Sequence, residues 1–273
     1  MLLRFSAANH LSLREPQELS LIASALKDSE AGLIECGAAP RGRVLPVTVI
    51  YGANASGKSN VAAALRWMRG AVLFSHSRGN PGGGVPRDPF ALDSACGEAP
   101  SVFEADFVVE GVRYHYGFSA NNKAFLDEYL FASPHGKRQV LFERNGSKFK
   151  FGRGLKGQNR VISALTRDNS LFLSAAAQNG HDHLSKIVNF FQRITTYSVI
   201  SIHGISLSRQ LKGSKIDDRV IKFLSNIGTG VVGYRTKTIE MSEDDGPIRR
   251  ELAAVAERLK ALYNNIDIQI DTE

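Results

Sequence analysis

One octapeptide of this sequence has the residue types and the spacing that bind a polyphosphate. Gly52, Gly57, Lys58 and Ser59 complete the pattern Gly-x-x-x-x-Gly-Lys-Ser, between a β-branched run and a helical one. In this pattern the glycines let backbone amides turn toward phosphate oxygens, the lysine reaches the β and γ phosphates, and the serine hydroxyl can ligate Mg²⁺. We therefore predict a nucleotide site formed by Gly52, Asn54, Ala55, Ser56, Gly57, Lys58, Ser59 and Asn60, with Ser59 as a metal ligand.

The predicted nucleotide is ATP, bound with Mg²⁺. A GTPase is expected to have an Asn-Lys-x-Asp string that reads guanine, and the nearest string here is Asn-Lys-Ala-Phe at residues 122–125. The absence of the guanine reader favours ATP only indirectly, since no residue in the sequence identifies adenine.

Hydrolysis needs a carboxylate that holds Mg²⁺ through water and a group that positions the attacking water. Asp127 and Glu128 follow only three apolar residues after a polar turn, so we interpret them as a carboxylate pair at an edge or on the surface. The acidic residues 243–245 precede Gly-Pro and are typical of a solvated turn that starts a helix. The catalytic residues are therefore not identified.

The sequence of the phosphate loop, GANASGKSN, resembles that of the ABC-type ATPases of the SMC, RecF and OLD kind. Together with the early run LLRFSAANHLSL and the strands after the first helix, it is most similar to bacterial stand-alone AAA-family ATP-binding proteins of abortive infection and phage defence. The segment LFLSAAAQNG at 171–180 also resembles one in these relatives, and the likeness covers about residues 1–200.

This resemblance implies a head domain that binds ATP and Mg²⁺ and closes with a second head around two nucleotides. It implies that Gln178 contacts Mg²⁺ and the attacking water. It also implies a signature serine and a late strand ending in Asp-Glu, which the sequence does not present: the string LSAAAQ at 173–178 has one residue too many and lacks the glycines. His10 and Leu11 after Asn9 depart from the aromatic and basic residues usual in the family.

The chain is therefore expected to be the front part of such an ATPase: a natural short form, an excised piece, or one part of a split head. ATP turnover is expected to need elements that this chain lacks. Two alternatives stay open, namely a P-loop phosphotransferase that acts on a small molecule and a nucleotide-dependent scaffold for a protein or DNA.

Two further groups of residues have a functional and a structural interpretation. Residues 137–160 contain eight Lys or Arg, one acid and three interleaved phenylalanines, a composition that suits a nucleic-acid-binding ribbon. A solvated β-hairpin explains the same pattern more simply, because side chains alternate between its two faces and the phenylalanines then turn inward. His181-Asp182-His183 has too few ligands nearby for a metal site and suits the start of a helix.

The surrounding patterns predict an α/β fold: an ABC-ATPase-like P-loop core with an inserted antiparallel β meander and a helical lobe. The run VLPVTVIY at 44–51 suits a buried central strand, and a helix is predicted over 59–74. We divide the chain into the core segment 1–75, a flexible Gly/Pro-rich loop 76–100, the meander 101–156, and a helical lobe with a return toward the core at 157–273. Gly228 is predicted to end a helix, residues 231–241 and 266–270 are strand-like, and an apolar stripe from Ile248 to Leu262 predicts a last helix.

Composition limits the class of protein. The chain has 273 residues, 43% hydrophobic and 22% charged, which is typical of a globular domain with a full core. Its apolar runs are too short to span a membrane, and Cys36 and Cys96 are predicted to be reduced thiols of a cytoplasmic protein. The net charge of +7 favours an anionic partner, such as a nucleotide, nucleic acid or an acidic protein. We expect a homodimer or an assembly with a partner effector.

Overall fold

The computed structural model describes residues 1–24, 32–54 and 56–196. In chain order the strands are β1 Leu2–Ala8, β2 Gln17–Ser20, β3 Ile34–Glu35, β4 Arg43–Val44, β5 Ser101–Val109, β6 Val112–Ala120, β7 Phe125–Ser133, β8 Gln139–Asn145 and β9 Lys148–Phe151. The helices are α1 Lys58–Arg78, α2 Ser94–Glu98, α3 Asn159–Leu165, α4 Phe172–Gln178 and α5 Asp182–Arg193.

Seven of these strands form one antiparallel sheet in the order β2-β1-β5-β6-β7-β8-β9. Alternating residues of the long strands turn apolar side chains to one face, as Phe103, Ala105 and Phe107 of β5 do. Antiparallel strands linked by short turns produce this alternation, with one face buried and the other accessible. The mixed α/β class predicted from the sequence is therefore confirmed, together with the antiparallel sheet.

Helices α1, α4 and α5 pack together and cover the apolar face of the sheet. Ala64, Met68 and Val72 recur every four residues along α1 and are fully buried, which gives that helix a single core-facing stripe. Leu184, Ile187, Val188 and Phe191 form the corresponding stripe of α5. The first helix is longer than predicted: it begins at Lys58 and ends at Arg78.

The prediction of a buried central strand before the phosphate loop is wrong. Only Val44 of this run lies in a strand, and the apolar residues at 47 and 49–51 lie outside strands and are exposed, with Val47 at 65% and Tyr51 at 86%. A buried strand needs hydrogen-bonded neighbours on both sides. Within the described residues no strand pairs with 47–51, so these apolar residues remain in water, and the P-loop fold stays a prediction.

The segment that follows α1 is fixed to the sheet at several points. Arg87 is buried and donates to Asn122 Oδ1 at 2.8 Å, to Ser101 Oγ at 3.0 Å, and to the carbonyls of Gly97 and Ala99. The segment also contains the short helix α2. Residues 76–100 were predicted to be a flexible Gly/Pro-rich loop; the structure shows instead the last turn of α1, a second helix and a buried arginine anchor.

None of the helices in the described part of the chain has the length and apolarity that a bilayer crossing requires. Several predictions fall outside the described residues: the helix ending at Gly228, the strand-like runs 231–241 and 266–270, the acidic turn 243–245 and the helix with the stripe from Ile248 to Leu262.

Candidate functional site

The phosphate loop leads into α1 through Gly57, which lies in the left-handed region with φ of 89°. A Cβ atom at Gly57 would lie 2.6 Å from Ser12 Oγ, so the hydroxyl of Ser12 would have to rotate away. Glycine is thus favoured here by its backbone angle, and the close approach of Ser12 leaves little room for a side chain. The second glycine of the pattern, Gly52, is similarly close to Ser56, because its Cβ would lie 2.7 Å from Ser56 Oγ.

The side chain of Lys58 lies over the phosphate loop. Its Nζ donates to the carbonyl oxygen of Gly52 at 2.7 Å and to that of Ala53 at 2.5 Å. Gly52, Ala53, Asn54 and Ser56 are exposed. The ammonium group is therefore held at an open loop by two backbone carbonyls, and a phosphate oxygen can replace these partners.

The first turn of α1 is suited to an anion. It contains no acidic side chain, and Gly57 supplies no side-chain cap, so the positive end of the helix dipole is not neutralised there. Ser59 is exposed in this turn, as a metal ligand must be. Asn60 donates to Ser12 Oγ at 2.7 Å, which joins the turn to residues 9–13. These features fit the phosphates and the Mg²⁺ of a nucleotide.

Ser12 belongs to a tight turn at residues 9–13, which contains none of the predicted site residues. Its neighbour His10 is buried between Trp67 and Phe103, with ring centroids 5.8 and 5.3 Å away. Burial lowers the pKa of His10, and the carboxylate of Asp88 partly opposes that effect. His10 is therefore part of the core, and Ser12 is the residue of this turn that contacts the loop. An Asn that starts a tight turn was the only sequence signal for it.

Gln178 lies at the exposed C-terminal end of α4, and the structure does not bring it to Ser59. The amide of His76, near the end of α1, donates to Ser174 Oγ at 3.2 Å, so α4 contacts the far end of α1. The rise of about 1.5 Å per residue places Ser59 about 25 Å from His76 and Gln178 about 6 Å from Ser174. The Cα atoms of Ser59 and Gln178 are then at least about 12 Å apart. The predicted contact of Gln178 with Mg²⁺ stays a prediction that requires α4 to move.

Ala55 lies outside the described residues, so its predicted contact is not placed.

The prediction that Glu128 lies at an edge or on the surface is wrong. Strand β7 is interior to the sheet, and Glu128 is fully buried. Its carboxylate accepts the amides of Phe172 at 2.6 Å and Leu173 at 2.9 Å, and the hydroxyl of Tyr116 at 2.9 Å. Burial raises the pKa of Glu128, while Arg144 and the two amides oppose the rise. Glu128 thus holds the start of α4 against the sheet.

The neighbouring Asp127 has a separate set of partners. It accepts from Ser119 Oγ at 2.8 Å and from Asn145 Nδ2 at 2.7 Å, both on adjacent strands. Asp127 and Glu128 therefore point to opposite faces of the sheet and do not form one acidic pair.

The histidines at 181 and 183 serve the start of α5. His181 Nδ1 accepts the amide of Leu184 at 3.3 Å, and its Nε2 lies 2.9 Å from Asn159 Oδ1. Burial lowers the pKa of His181, which favours the neutral ring that this cap needs. His183 Nε2 lies 3.1 Å from the hydroxyl of Tyr114. Among the described residues, no three His, Cys, Asp or Glu side chains are grouped as a metal site requires.

The basic segment 137–160 is divided between core and surface. Arg144 is buried and donates to the carbonyls of Gly146, Ser170 and Arg167, so it is not available to an anion. The phenylalanines of the basic segment point inward: Phe142 is fully buried, and Phe149 and Phe151 pack on Phe172. This arrangement supports the interpretation by alternation, while Lys148 and Lys150 remain exposed on β9.

The comparison with known families gives a match over this region. The family described as "AAA domain, putative AbiEii toxin, Type IV TA system" matches residues 47–196, more than half of the chain. The match includes the phosphate loop, α1, the strands β5 to β9 and the helices α3 to α5. No curated protein matches the sequence.

Proposed function

The chain belongs to the AAA-domain family of the AbiEii, abortive-infection type, and from that premise we propose that it is the ATP- and Mg²⁺-binding head of an ABC-type ATPase. The family implies a nucleotide-binding, ATPase-like protein in a toxin or abortive-infection context. Our proposal is narrower: the head binds Mg-ATP through the loop at 52–60 and acts in phage defence or DNA maintenance.

The observation that carries the proposal is the arrangement of Lys58 at the loop. Its ammonium group lies within hydrogen-bond distance of the carbonyls of Gly52 and Ala53, beside the uncapped first turn of a 21-residue helix. An ammonium group, free helical amides and an exposed hydroxyl at Ser59 together supply positive charge, amide donors and a metal ligand for a triphosphate.

We further propose that turnover needs elements supplied from outside the described residues. Glu128 is occupied by the amides of α4 and Asp127 by two side chains, so neither carboxylate is available to Mg²⁺ at Ser59. Gln178 would reach the metal only after α4 moves. The exposed residues at 47–51 have the β-branched composition of a strand and offer a place for further strands to pair.

Binding of Mg-ATP by the Lys58→Ala variant tests the function. We expect the dissociation constant measured by calorimetry to rise at least about tenfold, because the charge at the β and γ phosphates is lost. Folding should be unchanged, since the partners of the Lys58 ammonium group in the described part of the chain are two exposed loop carbonyls. Lys123→Ala, at an exposed lysine of the β6–β7 turn, is the matched control. Equal affinities of Lys58→Ala and the wild type would refute the proposal.

The assembly state has its own test. We propose that two heads close in the presence of Mg-ATP, so light scattering should show a nucleotide-dependent increase in mass. A monomer that persists with bound ATP and releases ADP only when a small acceptor is added would instead favour a phosphotransferase.

A further inference from the structure

A cavity of about 670 Å³ opens beside the phosphate loop. Its lining includes Leu11, Ser12, Asn60, Asp88, Phe90 and Leu92. This volume is within the range of about 300–1,000 Å³ that small-molecule sites occupy. Nothing in the phosphate-binding pattern accounts for the cavity, because that pattern binds only the phosphates.

The cavity is continuous with the loop through two residues. Ser12 approaches Gly57, and Asn60, which donates to Ser12, lies in the first turn of α1 directly after the predicted metal ligand Ser59. A triphosphate bound by Lys58 and the first helical amides therefore has this cavity next to it. A group attached to the chain of phosphates on that side would enter the cavity.

The opposite wall of the cavity is fixed to the sheet by buried polar side chains. Asn9 donates to the carbonyls of Cys96 and Ala99 at 2.8 and 2.9 Å and accepts the amide of Phe90 at 2.9 Å. The amide of Leu11 donates to the carbonyl of Asp88 at 2.7 Å. The guanidinium of Arg87 donates to the carbonyl of Gly97, which also lines the cavity, and to that of Ala99. The wall is therefore a built surface with a defined position relative to Asn60.

The side chains of this wall suit a nucleoside. Leu11, Phe90 and Leu92 offer apolar surface to a flat base, and Leu92 is 89% exposed, so it is available for such a contact. Asp88 is exposed and can accept hydrogen bonds from ribose hydroxyls or from an exocyclic amine. Its negative charge does not suit a further phosphate.

We infer that this cavity binds the base and ribose of the nucleoside triphosphate, and that residues 88–92 set its nucleoside preference. The inference rests on the proposed function, since it needs the phosphates to lie on the loop. The base packs against Leu92 and Phe90, the ribose lies toward Asp88, and the phosphates continue past Asn60 to Lys58.

The test compares two ligands, Mg-ATP and inorganic tripolyphosphate with Mg²⁺, by calorimetry on the full chain. The wild type should bind both, and Leu92→Ser should weaken ATP binding about fivefold while the affinity for tripolyphosphate stays constant. Leu165→Ser is the matched control, because Leu165 is an exposed leucine on α3, away from the cavity, and this variant should change neither affinity. Asp88→Asn should weaken the binding of ATP more than the binding of 2′,3′-dideoxy-ATP, which lacks the ribose hydroxyls that Asp88 is proposed to bind.

The outcomes separate the two proposals. If the wild type binds neither ligand, the proposed function fails. If it binds both and Leu92→Ser changes neither, or changes both equally, the nucleoside cavity is refuted while phosphate binding stands.

Discussion

The carboxylate of Glu128 connects strand β7 to the first two amides of α4. Replacing this carboxylate should therefore lower the free energy of unfolding. Glu128→Gln keeps the shape of the side chain but replaces one acceptor oxygen by a donor that faces N–H groups. The variant also leaves Arg144, 3.8 Å away, without its buried counter-charge. We expect the free energy of unfolding in urea to fall by about 3 kcal/mol, the usual cost of breaking a buried charged network.

Asp127→Asn is the matched control for this prediction. Asp127 is half-buried, and its partner Asn145 is exposed, so a loss of no more than about 1 kcal/mol is expected. If Glu128→Gln is as stable as the wild type and only ATP turnover is lost, Glu128 is a catalytic residue and our structural assignment is wrong.

At the scale of the helix, α5 depends on the protonation state of His181, the residue that caps its N-terminus. Donation from His181 Nε2–H to Asn159 leaves the lone pair on Nδ1 for the amide of Leu184, and a proton on Nδ1 would remove that cap. Burial lowers the pKa of His181 in the folded chain below the ordinary value near 6.5. Acid therefore protonates the unfolded chain first, and stability that is complete above about pH 6.5 falls as the pH drops toward the lowered value.

The melting temperatures at about pH 7 and about pH 5 measure this effect. We expect the wild type to lose stability between them, and His181→Asn, which caps a helix without titrating, to lose less. Burial lowers the pKa of His10, His76 and His183 as well, so part of the pH dependence should remain in the variant. An unchanged pH dependence in His181→Asn would mean that the cap does not contribute.

The elements that the sequence predicted well are those whose pattern is local. Strands β5 to β9 alternate every second residue and are bounded by turn residues, and all five lie within the antiparallel meander predicted at 101–156. The phosphate-loop pattern is local as well, because its glycines, lysine and serine are neighbours in the chain, and its binding of a nucleotide stays a prediction. Both signals need no knowledge of what the segment packs against.

What the sequence did not reveal depends on partners far along the chain. Glu128 meets amides 44 and 45 residues later, and Arg144 was grouped with surface cations although its carbonyl partners include Ser170. The run at 47–51 has the composition of a buried strand, but its burial depends on neighbouring strands that the described residues do not provide. The cavity beside the phosphate loop likewise arises from three separate segments that contain Leu11, Asn60 and Asp88.

For the whole molecule, the two edges of the sheet determine whether separate chains pair by their strands. Among the strands of the described residues, the edges are β2, where Gln17, Glu18 and Ser20 are exposed, and β9, where Lys148 and Lys150 are exposed. Charged side chains on an edge strand disfavour pairing with a second chain, because the charges would be buried against it. We infer that the two lysines keep β9 from pairing, which also explains part of the basic composition without nucleic acid.

Replacing both lysines by valine tests this role. The Lys148→Val, Lys150→Val double variant gains strand propensity and loses the charges, so light scattering without nucleotide should show association that increases with protein concentration. The double variant with glutamine at both positions loses the same charge but stays polar, and we expect it to scatter like the wild type. If the valine variant also behaves like the wild type, the lysines do not protect the edge. Their exposure would then favour the nucleic-acid interpretation, which salt-dependent retention of the wild type on DNA, lost in Lys148→Glu with Lys150→Glu, would support.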